Sequence, residues 1–550
     1  MLLSRLASGV ARFCRHSLSV QATSVKIRSE FVDDLIRWVG SLGSLRTPAW
    51  ERIGIALRQT SERAVVGNLT ATRRELMKGA AAWTVTQALA APALRDDRHG
   101  PELPHARPPI ADRRFSSSAI DAAIPSLQRK IADPALRVLV GNCFPNTLDT
   151  TVHPGSLEGK PDTYVVTGDI DAMWLRDSSA QVWPYLAFVK ADEPLKTLIE
   201  GVIRRQSRMI LIDPYANAFM KNPTDAPLSW AVHDKTEHHA GVGERKWEID
   251  SLCYPIRLAH GYWEATGDSG PFDSQWRAAA EAILRTFKEQ QRKHGPGPYS
   301  FQRESAIPSD SVELSGFGNP ARPNGMIFSM FRPSDDACIY PLFVPANLFA
   351  VKALGQLADL AAHAAHDVNL AERASTLAAE ITQALNKHSQ VRHPKFGMIW
   401  AYEVDGYGNA LFMDDANAPS LLSLAYLGIC RPNDAAYLRS RSFALSDDNP
   451  YFFRGSAAEG IGGPHEGLDA IWPMSILFRA LTSENPAEIR QCLRWLRDTT
   501  AGTGFMHESF QKNDPSKFTR PWFAWANTLF GELIWKLAND RPTLLAAPLS

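Results

Sequence analysis

No Cys-x-x-Cys pair, Gly-x-Ser-x-Gly elbow, Walker loop, Gly-x-Gly-x-x-Gly turn or His-Glu-x-x-His helix occurs in the 550 residues. The chain therefore lacks the signatures of dithiol redox centres, serine hydrolases, nucleotidases, dinucleotide enzymes and zincins, and no cofactor is expected. Cysteine is sparse: Cys14, Cys143, Cys253, Cys338, Cys430 and Cys492 are dispersed, with no histidine at metal-ligand spacing. That scatter excludes a disulfide framework and a structural zinc, and the thiols read as small core residues. Excess charge is also missing, with 59 Lys+Arg against 59 Asp+Glu. This balance argues against a nucleic-acid partner or a solvating tail.

Aromatics are plentiful, with 15 Trp, 25 Phe and 12 Tyr, as suits a large core or a sugar-binding cleft. The front of the chain is unlike the rest: residues 1–93 hold 13 Lys+Arg and 6 Asp+Glu. Within it, Thr72-Arg73-Arg74-Glu75-Leu76-Met77-Lys78 precedes an uncharged stretch, 79–94, ending in Ala88-Leu89-Ala90 and Ala91-Pro92-Ala93. A basic region, a short apolar region and small-x-small sites resemble a twin-arginine export signal. The stretch is too short and alanine-rich to span a bilayer, so the mature form is expected off the membrane. An organellar transit peptide at 1–29 is the minor alternative. Residues 94–115, with Pro101, Pro104, Pro108 and Pro109, read as a linker.

From 116 to about 545 the pattern predicts helices near 120–139, 179–188, 193–208, 255–266, 274–294, 346–366, 370–387, 419–427, 469–482, 486–499 and 522–538, with few strand signals. Helices paired through Gly-, Pro-, Asp- and Trp-rich loops fit an all-α fold, an (α/α)6 toroid of six hairpins, with a solenoid as runner-up. A toroid closes its own core, so a monomer is the default expectation.

Four segments concentrate acids among apolar neighbours. In Thr167-Gly-Asp169-Ile-Asp171-Ala-Met-Trp174-Leu-Arg176-Asp177-Ser178, three carboxylates, an arginine and a tryptophan fall within nine residues. Buried charges of this kind must be paired, and the same groups chelate vicinal sugar hydroxyls; a salt-bridged helix entry is the competing explanation. The second segment is Lys246-Trp-Glu248-Ile-Asp250-Ser-Leu-Cys-Tyr254. The third, Gly325 to Ala337, contains Arg332-Pro-Ser-Asp335-Asp336, where a helix cap explains one aspartate but not both. The fourth is Gly504-Phe-Met-His507-Glu508-Ser-Phe510. Two separated carboxylic acids with many aromatics form the minimal kit for glycoside hydrolysis.

In order and wording these four segments resemble glycoside hydrolase family 125, over residues 116–540. Met330, before Phe331-Arg332-Pro333, and Asp171 are the departures from the family pattern. The resemblance implies an (α/α)6 toroid and a metal-independent exo-α-mannosidase that inverts at terminal α-1,6-linked mannose. It also implies a general acid at Asp335 or Asp336, with Asp335 preferred, and a general base at Glu508. For inversion the two carboxyls should lie roughly 6.5 to 9.5 Å apart. The expected partner is a mannose-containing glycan, held by Asp169, Asp171, Trp174, Arg176, Asp177, Asp250, Arg332 and His507. His507, if protonated, would help keep Glu508 ionised, and Asp335 and Asp336 would raise each other's proton affinity. The competing readings are an inactive carbohydrate-binding toroid, a glycosidase for another α-glycoside and a metal-dependent mannosidase.

Overall fold

The computed structural model describes residues 102–549; the expected export segment lies outside them. The helices are α1 (Ser118–Lys130), α2 (Pro134–Cys143), α3 (Asn146–Thr150), α4 (Leu175–Val182), α5 (Glu193–Ile212), α6 (Ile249–Thr266), α7 (Ser274–Gln290), α8 (Val344–His363), α9 (Val368–His388), α10 (Ala435–Ala444), α11 (Pro473–Leu481), α12 (Pro486–Asp498) and α13 (Ala524–Asp540). Glu313–Gly316 forms only a distorted turn, with Leu314 and Ser315 left-handed.

Short antiparallel sheets link them. Strands β1 (Val152–Leu157) and β2 (Lys160–Val165) form a hairpin. Strands β3 (Met173–Trp174), β4 (Ala218–Phe219) and β5 (Val242–Glu244) pair in that order, Trp174 opposite Ala218 and Ala218 opposite Glu244. Strand β6 (Leu342–Phe343) joins β9 (Glu403–Val404) and β10 (Ala410–Leu411), while β7 (Gln390–His393) pairs with β8 (Gly397–Trp400). Strands β11 (Phe452–Arg454) and β12 (Glu459–Ile461) pair, and β13 (Ala470–Ile471), β14 (Ser509–Gln511) and β15 (Asp514–Thr519) form the last sheet.

Two kinds of helix alternate. In α6 every residue from Ile249 to Tyr262 is buried, because the Ile-Asp-Ser-Leu-Cys-Tyr-Pro-Ile run carries no solvated stripe. In α12 only Ile489, Cys492, Leu493, Leu496 and Arg497 are buried, a helical stripe with a wet opposite face. Helices α4, α6, α11 and α13 are of the first kind and form the inner ring together with α8, which is buried over residues 344–347 and at Phe349 and Ala350 and striped beyond; α5, α7, α9 and α12 are of the second. Helix α6 packs on α4 and α8, and α13 packs on α4 and α11. The remaining inner place is filled by residues 420–428: Tyr426 meets Phe478 of α11 at 5.1 Å between ring centroids, and Gly428 faces Lys352 of α8. The architecture is the expected (α/α)6 toroid. At Gly201 of α5 an added Cβ would fall 2.8 Å from the Thr163 amide, so only glycine admits β2 there.

Several boundaries differ from the expectation. Residues 421–428 form consecutive turns instead of a helix, because the Leu421 and Leu422 amides are taken by the Asp414 carboxylate. The expected helix 120–139 breaks into α1 and α2, where Asp133 caps Leu136 and Pro134 occupies the first turn. Helix α6 begins six residues before Pro255, and burial of its whole first turn outweighs the proline. The 102–115 part of the expected linker is fastened to the domain: Arg107 binds Asp149 at 2.8 Å and Leu103 enters the core. The five cysteines among the described residues are unpaired.

Candidate active site

The four acidic segments all precede or open inner-ring elements: 167–178 opens α4, 246–254 opens α6, 325–337 precedes α8 and 504–510 precedes α13. The toroid thereby gathers residues far apart in sequence at one end, where helix N-termini favour anionic groups.

Arg176 is the hub. Its Nη1 donates to Glu248 Oε2 at 2.5 Å and to Asp250 Oδ2 at 3.2 Å, its Nε lies 3.5 Å from Asp177 Oδ2, and Nη2 lies 4.0 Å from Asp335 Oδ1. Asp335 sits in a tight turn in which Arg332 N donates to Asp336 O and Asp335 N donates to Arg332 O. Its φ of +67° places it in the left-handed region, a conformation aspartate tolerates better than most residues. Lys246 Nζ donates to the Asp335 carbonyl at 2.7 Å, and Asn217 Nδ2 donates to Asp335 Oδ1 at 3.3 Å. Asn217 is itself set by Glu244, which takes Nδ2, and by the Lys246 amide, which donates to Oδ1.

Burial pushes the Asp335 carboxyl up, but Lys246, Arg176 and His465 hold it below its ordinary value. Burial, with the negative charges of Asp335 and Asp250, drives Glu248 well above the ordinary range despite Arg176. Burial likewise lifts Asp250 to about 6 and raises Asp177. Asp335 is therefore lowered where an elevation was expected, because it faces cations, and the elevated acid beside it is Glu248.

Glu508 ends the run into β14 and is 6% exposed. Arg520 Nε lies 3.3 Å from its Oε2, and Arg520 Nη1 reaches Asp169 at 3.4 Å. Burial raises Glu508 to about 7, Glu466 adding to the rise and Arg520, His465 and the Thr519 hydroxyl opposing it. His465 joins the two halves of the site: burial lowers its proton affinity, but Asp336, Asp335 and Glu508 outweigh this and raise it.

Other expected site residues take different places. Arg332 Nε is spent on Glu403 Oε1 at 2.6 Å, although its buried Nη2 has no partner. Asp336 is buried and receives the Ser334 hydroxyl at 2.8 Å, whereas the Asp335 side chain is 26% exposed. Trp174, expected as a stacking platform, packs with Ala172, Ala218, Leu228 and Ala231. Asp171 is exposed, and the charges it acts on are His153 and Tyr164, outside the cluster. His507 does not assist Glu508 as a cation. Its Nδ1 donates to the Arg520 carbonyl at 3.0 Å, its ring stacks on Phe518 at 3.9 Å, and burial lowers its proton affinity. Its role is to brace the arm that carries Arg520. Met330 is buried and touches Arg292 through sulfur, behind the site.

The sequence reading overlooked Asn217, Glu403, His465 and Arg520. For His465 a signal existed: Gly462-Gly-Pro-His-Glu-Gly467 surrounds an acid and a base with conformationally permissive residues. The larger grooves, about 570 Å³ beside Lys293 and about 480 Å³ beside His260, contain no member of the cluster. A cleft of about 220 Å³ adjoins it through Glu244 and Arg245. Among the described residues no three or more His, Cys, Asp or Glu are arranged to hold a metal ion, and no helix is long and apolar enough to cross a membrane.

Residues 133–535 match the family model for metal-independent α-mannosidases, glycoside hydrolase family 125. A curated relative, the meiotically up-regulated gene 157 protein of Schizosaccharomyces pombe, is 42% identical over 460 residues, covering 80% of this chain and 90% of the relative. A metal-independent α-mannosidase from Streptococcus pneumoniae, solved in a non-productive complex with α-1,6-mannobiose, superposes with a TM-score of 0.74 at 38% identity, covering 78% of this chain and all of that one. With its four acidic segments assembled at one end of an (α/α)6 toroid, the chain belongs to glycoside hydrolase family 125, the metal-independent α-mannosidases.

Proposed function

We propose that the protein is an exo-acting α-1,6-mannosidase that inverts the anomeric centre, with Asp335 as general acid and Glu508 as general base. The observation that carries this reading is that Asp335 and Glu508, 173 residues apart in sequence, both bear on His465. Two carboxyls that act on one imidazole lie near enough to each other to serve one sugar ring. Exposure favours Asp335 over the enclosed Asp336, and the mannobiose bound by the pneumococcal relative supports the linkage.

In this reading Asp335 protonates the glycosidic oxygen as the C1–O bond breaks, and Glu508 takes a proton from the water that attacks C1 from the opposite face. Asp169, Asp177 and Asp250 are read as binding sugar hydroxyls through bonds that strengthen as C1 becomes cationic. Segment 72–93 is read, within the same proposal, as a twin-arginine-type export signal.

The test is hydrolysis of α-1,6-mannobiose in the presence of a chelator, with the first-formed anomer followed by proton NMR. The expected result is β-mannose, with a fall of about 10³-fold or more in Glu508→Gln. Initial α-mannose would reject inversion, and an inert wild type would favour a binding role.

A further inference from the structure

Two fully buried carboxyls of the cluster, Glu248 and Asp250, each keep one oxygen without a donor, and of the two it is Glu248 that meets the side chain of Asp335 through a hydrogen bond. Glu248 Oε2 accepts from Arg176 and, at 2.8 Å, from Ser251 Oγ, whereas its Oε1 is buried without any donor. The Asp335 carboxyl shares the Arg176 guanidinium with it, Nη1 holding Glu248 at 2.5 Å and Nη2 lying 4.0 Å from Asp335 Oδ1, and a side-chain hydrogen bond between the two carboxyls raises the proton affinity of Glu248 and lowers that of Asp335. Two carboxylates have nothing to donate to each other, but a carboxylic acid and a carboxylate bond through one proton.

Charge points the same way. Arg176 and Lys246 face three enclosed carboxyls, Asp177, Glu248 and Asp250, and the partly exposed Asp335, so full ionisation would leave uncompensated negative charge in a poorly solvated place. The groups bearing on the pair are Arg176 and Asp177 from α4, Lys246 from the segment after β5, Asp250 and Ser251 from α6, and His465 from the loop before β13.

We propose that Glu248 and Asp335 share a single proton, and that Glu248 stores the proton Asp335 delivers to the departing sugar. Glu248 is thus a positioning residue for that proton, and the inference rests on the acid role of Asp335 given above. Before reaction the proton lies on Glu248 Oε1. It passes to Asp335, leaving Glu248 as a carboxylate on Arg176, and the partly exposed Asp335 carboxyl turns about Cβ–Cγ to present it. The proton then goes to the glycosidic oxygen, which keeps the electron pair of the broken C1–O bond. Water adds to C1, its proton moves to Glu508 and then to solvent, and the pair regains one proton from solvent. The opposed proton affinities of the two carboxyls fit this resting state. Without the store, Asp335 alone would be a poor acid near neutral pH.

The experiment compares wild type, Asp335→Asn and Glu248→Gln on α-1,6-mannobiose and on 2,4-dinitrophenyl α-mannoside, whose leaving group needs no proton. Both variants should lose about 100-fold or more in kcat on mannobiose while keeping the dinitrophenyl rate within about threefold. Glu248→Gln should also move the alkaline limb of the mannobiose profile to lower pH, and Glu248→Asp should restore part of the rate. Parallel loss on both substrates in Glu248→Gln, or no loss on mannobiose, overturns the proton store. Parallel loss in Asp335→Asn instead rejects Asp335 as the acid, and the store with it. If Glu248→Gln does not fold, Glu248→Asp decides by the same substrate comparison.

Discussion

Arg520 lies 3.3 Å from Glu508 and is the main cation opposing the burial that lifts that carboxyl to about 7. A base works only when ionised, so the acidic limb of kcat/KM should rise with pH through about 7, and loss of the proton held by Glu248 and Asp335 should set the alkaline limb above it. Removing the guanidinium in Arg520→Gln withdraws a charge that lowers the Glu508 pKa, so this acidic limb should move to higher pH. A pH–rate profile of both proteins checks it; a rate that falls through pH 7 in the wild type would exchange the acid and base roles. At this scale Glu508 was legible, because a glutamate between apolar neighbours is not a surface charge. Arg520 and His465 were not, since nothing in their local sequence says which carboxyl they will meet.

Among elements, the join between α1 and α5 depends on one carboxylate. Asp192 Oδ1 caps α5 through Leu195 N, while Oδ2 receives Ser117 Oγ, Ser118 Oγ and Ala119 N at the start of α1. Burial opposes ionisation, but these donors hold its pKa below the ordinary value. Asp192→Ala should therefore cost about 1 to 3 kcal/mol by thermal or denaturant unfolding. The sign with pH follows from the lowered pKa. This contribution is present above the unfolded pKa of about 3.9 and is lost as pH falls through the folded value. The variant's deficit should accordingly be full at pH 7 and shrink below pH about 4, and a deficit that grows with acid would contradict it. The cap was readable from Asp192-Glu193-Pro194, but the second helix it serves lies about 70 residues away. Residues 419–427 show the opposite failure. Their apolar spacing suits a helix, yet Asp414 captures the amides of Leu421 and Leu422 and a chain of turns results.

For the whole molecule, the export reading of 72–93 predicts that Arg73→Lys with Arg74→Lys leaves the full chain unprocessed in a host using the twin-arginine route. The wild type should lose its front near Ala90 or Ala93, which mass spectrometry of the exported form checks; equal export of both would reject the signal. In residues 133–535, helical periodicity and the four acidic segments were enough to determine a helical toroid and its family, and those segments carry the proposed acid and base. Those are local properties, written in adjacent residues and in the spacing of apolar side chains. Tertiary structure alone decided which charges meet: that Asp335 faces Lys246 and Arg176, that Glu248 faces Asp335, and that His507 turns to a carbonyl while His465 joins the two halves of the site. The reason is physical. A carboxyl's proton affinity depends on burial and on charges within a few ångströms, and closing the ring of inner helices brings those charges from segments as far apart as Asp169 and Arg520.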